Sequence, residues 1–103
     1  MANRMLEKCI RVDEVVGDFG ETGIFDLEYY LLENETDHDY PESVQTVYGI
    51  EIVKRLDDGS VENEKFEGVY VDKSKTRKLI DLLAANTVTP VSLPYILDDL
   101  LSV

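Results

Sequence analysis

Residues 46–56, TVYGIEIVKRL, alternate in the manner of an extended strand, and the Asp57-Asp58-Gly59 that follows constrains what the chain does next. Tyr48, Ile50 and Ile52 share one face at period two, while Val47, Glu51, Val53 and Arg55 share the other. Asp-Gly accepts the positive φ that a tight hairpin demands, so this strand turns back and pairs with its successor. Gly49, in mid-strand, admits the close approach of a neighbouring backbone or marks a bulge. An antiparallel sheet with this stretch in its interior is the expected framework.

Two further strands precede it. Residues 6–16, LEKCIRVDEVV, are rich in β-branched side chains, but Cys9, Ile10, Val12, Val15 and Val16 fall on both faces, which suits an edge. The glycine-rich residues 17–23, GDFGETG, read as a hairpin loop. In residues 24–33, IFDLEYYLLE, one face carries Phe25, Leu27, Tyr29 and Leu31, and the other Ile24, Asp26, Glu28, Tyr30 and Leu32. Residues 34–43, NETDHDYPES, form a polar acidic loop. Beyond the Asp-Gly turn, residues 60–71 make a charged strand that resists edge-to-edge pairing and that Gly68 can bend.

The period changes at Asp72. With Asp72 or Ser74 as cap, Thr76, Leu79, Ile80 and Leu83 recur at helical spacing and turn Lys75, Arg77, Lys78 and Asp81 outward. This helix stops near Asn86, a residue that accepts the left-handed C-terminal conformation, and Pro90 prevents its continuation. Ser92 caps a second helix with Pro94 in its first turn and a stripe of Leu93, Ile96, Leu97, Leu100 and Leu101.

The length of 103 residues fits one domain, a β-rich part over residues 1–71 and a two-helix part over residues 72–103. The expected fold is α+β: a four-stranded, mainly antiparallel meander sheet followed by two C-terminal helices packed on one face. Its core is drawn from Leu27, Leu31, Tyr48, Ile50, Ile52, Leu79, Ile80, Leu83, Ile96, Leu97 and Leu100. Tyrosine hydroxyls are expected at the rim of the sheet.

Charge narrows the partners. Twenty-two carboxylates against ten Lys and Arg give a net charge of −12, which repels nucleic-acid backbones and anionic membranes. Four of those ten cations crowd into residues 73–78, where they serve as an exposed helix face or meet an acidic partner or the protein's own acidic sheet. One cysteine, Cys9, excludes an internal disulfide and fits a reducing compartment. No apolar run reaches bilayer length, and the N-terminal MANRMLEKCIRVDE lacks the apolar core of a signal peptide, so a cytoplasmic location is expected.

No motif specifies an activity. Asp37-His38-Asp39 offers metal-binding types, but neighbouring ligands in a loop, with no second His and no nearby Cys, favour a solvated acidic segment. Cys9 has only His38 as a neutral-pH base, and the two belong to separate elements. GDFGETG lacks the Lys-Ser/Thr ending of a phosphate loop and precedes a strand. Catalytic residues, cofactors and metals are therefore all expected to be none.

The segments Leu27-Glu28-Tyr29-Tyr30-Leu31-Leu32, Tyr48-Gly49-Ile50-Glu51-Ile52 and Asn86-Thr87-Val88-Thr89-Pro90 resemble a family of small uncharacterised proteins from clostridia and related Firmicutes. The resemblance spans most of the chain and implies a domain of unknown function, with no catalytic residue to carry over.

Three functional expectations follow from the residues. The first is a non-enzymatic protein-interaction or regulatory module whose unknown protein partner meets the uncovered sheet face or the basic helix, with Tyr30, Val47, Glu51, Val53, Lys75 and Lys78 as the surface. The alternative is a small-molecule-binding protein or enzyme with a pocket between sheet and helices near Tyr30, Tyr48 or Asn86, gated by residues 34–43. The third is a homodimer through the open sheet face, where Tyr30, Leu32, Val47 and Val53 would form an exposed apolar patch.

Overall fold

Alternation and turn chemistry produce the framework that the sequence implies. The structure, a computed structural model, describes residues 3–16, 21–36 and 45–101. Four antiparallel strands, β1 (Asn3–Val16), β2 (Glu21–Thr36), β3 (Gln45–Leu56) and β4 (Val61–Tyr70), lie in the order β1-β2-β3-β4. Two helices follow, α1 (Lys73–Ala85) and α2 (Leu93–Leu101). β2 and β3 are interior; β1 and β4 are edges.

The β3–β4 turn is a three-residue loop. The Gly59 amide donates to the Leu56 carbonyl at 3.1 Å, and Gly59 takes φ +90. The Asp58 carboxylate accepts the Ser60 amide at 2.8 Å. The long hairpins outgrow their sequence signals: Glu21, Thr22 and Gly23 pair with Val16, Val15 and Glu14 instead of joining the loop. Asn34, Glu35 and Thr36 likewise pair with Val47, Thr46 and Gln45. Continuous pairing to a neighbouring strand overrides the weak strand preference of these polar residues. Residues 17–20 and 37–44, with Asp37, His38 and Asp39, lie outside the described residues.

The uneven pattern of β1 has a local cause. The register shifts between Leu6 and Lys8, so Met5 faces Leu31 before the bulge, and Ile10 and Val12 face Leu27 and Phe25 after it. One extra residue, Glu7, flips the parity and lets Met5, Ile10 and Val12 all pack against the core.

Gly49 fulfils both expectations made of it. A Cβ there would collide with the Phe66 carbonyl oxygen and stand 2.8 Å from Glu67 Cα. At the same point β4 places three residues, Glu67, Gly68 and Val69, between Phe66 and Tyr70, where β3 places only Gly49 between their partners Ile50 and Tyr48. Gly68, within that bulge, has φ +66.

The core lies between the helices and one sheet face. Leu27, Tyr29, Leu31, Ile50, Ile52, Ile80, Leu83 and Leu93 are fully buried, with Leu79, Leu97 and Val88 nearly so. Three expected members fare differently: Tyr48 and Ile96 are half-buried against the cluster, whereas Leu100 is 40% exposed and is no core residue. Leu100 sits in the last turn of α2, past the edge of the surface that the helix covers.

Asp72 caps α1, its carboxylate accepting the Lys75 amide at 3.1 Å. At the other end Asn86 is not left-handed, having φ −100; Thr87 takes the positive φ of 53. The Val88 amide donates to the Leu83 carbonyl at 3.0 Å and the Thr87 amide to the Ala84 carbonyl at 3.1 Å, the paired bonds of a Schellman termination. The buried Val88–Leu83 pair places the left-handed residue one position later than the sequence suggests, because Val88 must reach the core.

Tyr29 fastens that termination to the sheet. Its hydroxyl is buried, not at the rim, and donates to the Val88 carbonyl at 2.8 Å. Its cross-sheet position under the α1–α2 connection accounts for the difference. Burial pushes its pKa up to about 12.

Candidate functional site: the open face of the sheet

The helices cover one face of the sheet, and the same strands build the other by alternation. Its residues include Arg4, Leu6, Cys9, Arg11 and Asp13 of β1, Asp26, Glu28, Tyr30 and Leu32 of β2, Val47, Glu51, Val53 and Arg55 of β3, and Asn63 and Lys65 of β4. Register brings them together: Tyr30 stands opposite Leu6 on one side and Glu51 on the other, and Val53 lies between Glu28 and Asn63.

Two carboxylates organise this surface. Arg4 lays its guanidinium 3.6 Å from the centroid of the Tyr30 ring and donates through Nε to Glu51 at 2.6 Å. Asn63 donates to the other Glu51 oxygen at 3.0 Å, so a carboxylate only 8% exposed has both oxygens engaged. Beside it, Glu28 accepts from the Tyr30 hydroxyl at 2.7 Å and from Arg55 Nε at 3.1 Å. The Tyr30 hydrogen bond, aided by Arg55, holds the Glu28 carboxyl below its ordinary value against the opposing effect of burial. The same bond, reinforced by burial, raises Tyr30. Further along, Arg11 reaches Asp26 at 3.4 Å and Asp57 at 3.7 Å.

These side chains change the apolar patch that alternation predicts. Val53 and Leu32 are 3% and 6% exposed, shielded by long neighbouring side chains although no helix lies over them; Tyr30 and Val47 are half-buried, and Leu6 is 54% exposed. The face is thus an ordered polar lattice over small buried apolar residues. Three arginines are matched by Asp26, Glu28 and Glu51, which leaves this region charge-balanced in a chain of net charge −12.

Of the residues singled out from sequence, Tyr30, Val47, Glu51 and Val53 meet on this face, with Glu51 and Val53 beneath its surface. Lys75 and Lys78 belong to α1, on the far side. Lys75 Nζ lies 4.6 Å over the Tyr70 ring, and Lys78 is exposed. Their neighbours turn to the protein's own acidic sheet: Arg77 donates to Glu7 at 3.1 Å, and Lys73 lies 3.9 Å from Glu33. The β1 bulge supplies Glu7 for this purpose. Period two already places Glu28 with Tyr30, and Arg55 with Glu51 and Val53, although neither is singled out as a site residue; Arg4 and Asn63 escaped the sequence reading.

Cys9 is exposed on this face. Among the described residues, no group of three or more His, Cys, Asp or Glu side chains is placed to hold a metal ion, and no helix is long and apolar enough to cross a membrane. An apolar hollow of about 250 Å³ borders Asn86, lined by Leu82, Leu83, Val88, Ile96 and Leu100, between the helices and not between helix and sheet.

No curated protein and no solved structure matches the chain. Residues 8–103 match a family of unknown function (DUF6514), which covers the whole of β3, β4 and both helices, and the chain belongs to that family.

Proposed function

We propose that this chain is a non-enzymatic protein-interaction module and that its open sheet face is the surface through which it meets another protein. The observation that carries this reading is the pre-ordered Arg4–Tyr30–Glu51 cluster on a face without a covering layer among the described elements. Aromatic and arginine side chains dominate the energetics of protein interfaces, and a cluster already held in place loses little side-chain freedom on docking.

The occupant that the charge favours is a second copy. Two chains of net charge −12 repel over most orientations and meet at least cost where the charge balances locally. A four-stranded face with strands about 4.8 Å apart and roughly ten residues deep offers roughly 650 Å², near the ~800 Å² per partner of a standard interface. A clostridial host, the source implied by the sequence resemblance, and a cytoplasmic setting both accord with this reading.

Sedimentation equilibrium tests it. The wild-type chain should associate to a dimer at high micromolar concentration, and Val47→Glu, which adds a charge to the face without touching the core, should remain a monomer. A wild-type monomer throughout, or a dimer unaffected by Val47→Glu, contradicts the proposal. A second reading, a small-molecule binder, rests on the hollow beside Asn86; thermal-shift screening of apolar ligands against wild type and Leu82→Glu addresses it.

A further inference from the structure

We propose that the cleft between β4 and α2 is a docking groove for an extended, cationic segment of another protein, which adds to the free edge of β4 and seats an apolar side chain beside Phe66 and Leu97. The cleft lies between β4 and α2 and meets the open face only along β4, and the two readings are tested with different variants, so failure of either leaves the other standing.

The edge is available because β4 ends the sheet and pairs only with β3 among the described strands. Its ladder is regular from Val61 to Phe66, and there the Gly68 bulge turns the chain aside. The bulge opens a cleft of about 440 Å³ whose apolar lining comes from Phe66, Val69, Pro94 and Leu97 and whose acidic residues are Glu67 and Asp98. A groove with an edge strand as one wall and a helix as the other is the geometry by which sheets accept added peptide strands. Main-chain hydrogen bonds supply affinity, and pockets for alternate side chains supply specificity.

Charge selects the occupant. β4 carries Glu62, Glu64 and Glu67 against Lys65, and α2 carries Asp98 and Asp99 with no basic residue. Lys65 is already paired with Glu67 at 3.7 Å and Lys54 with Glu62 at 3.8 Å, whereas Glu64, Asp98 and Asp99 have no ion-pair partner among the described residues. Two β4 edges brought together would set these glutamates against each other, which disfavours a second copy here. A strand of alternating lysine and apolar residues meets both demands, placing cations along the acids and apolar side chains in the cleft.

The full chain, isotope-labelled for amide NMR, is titrated with a short peptide of alternating lysine and valine and with its glutamate–valine counterpart. The lysine peptide should shift amides of residues 61–69 and 94–98 and leave the Tyr30 region unchanged; the glutamate peptide should shift neither. Glu67→Lys with Asp98→Lys should weaken the lysine peptide about tenfold or more. Asp13→Lys with Glu35→Lys, which changes net charge equally at a distance from the cleft, should leave its affinity within about twofold. Equal losses in the two double variants, shifts centred elsewhere, or no binding of the lysine peptide would overturn the proposal.

Discussion

Tyr29 and Tyr30 are neighbours in sequence and differ in burial, in the face they occupy and in what their hydroxyls meet. Tyr29 points into the core, is fully buried, and gives its hydroxyl to the Val88 carbonyl. Tyr30 points to the open face, carries Arg4 on its ring, and gives its hydroxyl to Glu28. The same divergence runs through Ile50 and Glu51, and through Ile52 and Val53, along β3. One face is stabilised by apolar contact with two helices, the other by side chains that lie over their own strands. The lesson is that absence of a covering layer does not leave a sheet face bare: charged and aromatic side chains shield it.

The largest expected effect tests that division directly. Ile50→Ala empties a site in the closed core and should destabilise the fold by about 2–5 kcal/mol, whereas Val53→Ala, beneath the open lattice, should cost about 1–2 kcal/mol. Chemical denaturation of both variants measures the gap. Equal costs would show that the two faces are packed alike.

The tyrosine pair sharpens the comparison further. Tyr29→Phe leaves the Val88 carbonyl without its buried donor and should cost about 1–3 kcal/mol. Tyr30→Phe, half-exposed and able to hand Glu28 to Arg55 and water, should cost less than about 1 kcal/mol.

Tyrosine and carboxylate titrations act on stability in opposite directions of pH. Tyr29 is raised from 10 to about 12, so the stability it contributes is complete below pH 10 and is lost as pH rises through about 12. Glu28 is lowered below 4.5, so its contribution is complete above pH 4.5 and is lost as pH falls through the lowered value. Stability followed by circular dichroism should therefore lose part of its alkaline slope in Tyr29→Phe, the rest remaining with Tyr30, and part of its acid slope in Glu28→Gln.

Much of this architecture was legible in residue spacing. Alternation in β2 and β3, the Asp-Gly turn and the stripes of α1 and α2 identify the sheet order and the covered face, because each is a local pattern with a single geometric consequence. Gly49 was legible as a point of close approach. What escaped depends on pairs distant in sequence. The contact of Arg4 with Glu51 spans 47 positions and depends on strand register, including a bulge at Glu7 that no local preference announces. The buried hydroxyl of Tyr29 and the exposure of Leu100 follow from where the helices come to rest, and the ends of β2 follow from the length of its partner strands. Of the candidate surface, Val47, Glu51, Val53 and Arg55 were placed on one face by period alone, while Arg4, which shields Tyr30, was not.

The one stabilising effect concerns the region that locks the covered face. Thr87, β-branched at φ 53, occupies the position where glycine is preferred, so Thr87→Gly should stabilise the chain by about 1 kcal/mol, visible as a raised unfolding midpoint. No change would mean that the termination of α1 is not under strain.

The central claim, that the open face is a contact surface and the opposite face a closed core, is tested most directly by nitrating the tyrosines over a protein concentration series and reading each residue by mass spectrometry. Tyr29 should stay unreactive and Tyr95, 74% exposed, reactive throughout, while Tyr30 reacts in dilute solution and becomes protected as concentration rises. Reactivity of Tyr30 that does not depend on concentration, or that matches Tyr29 at every concentration, would contradict the account.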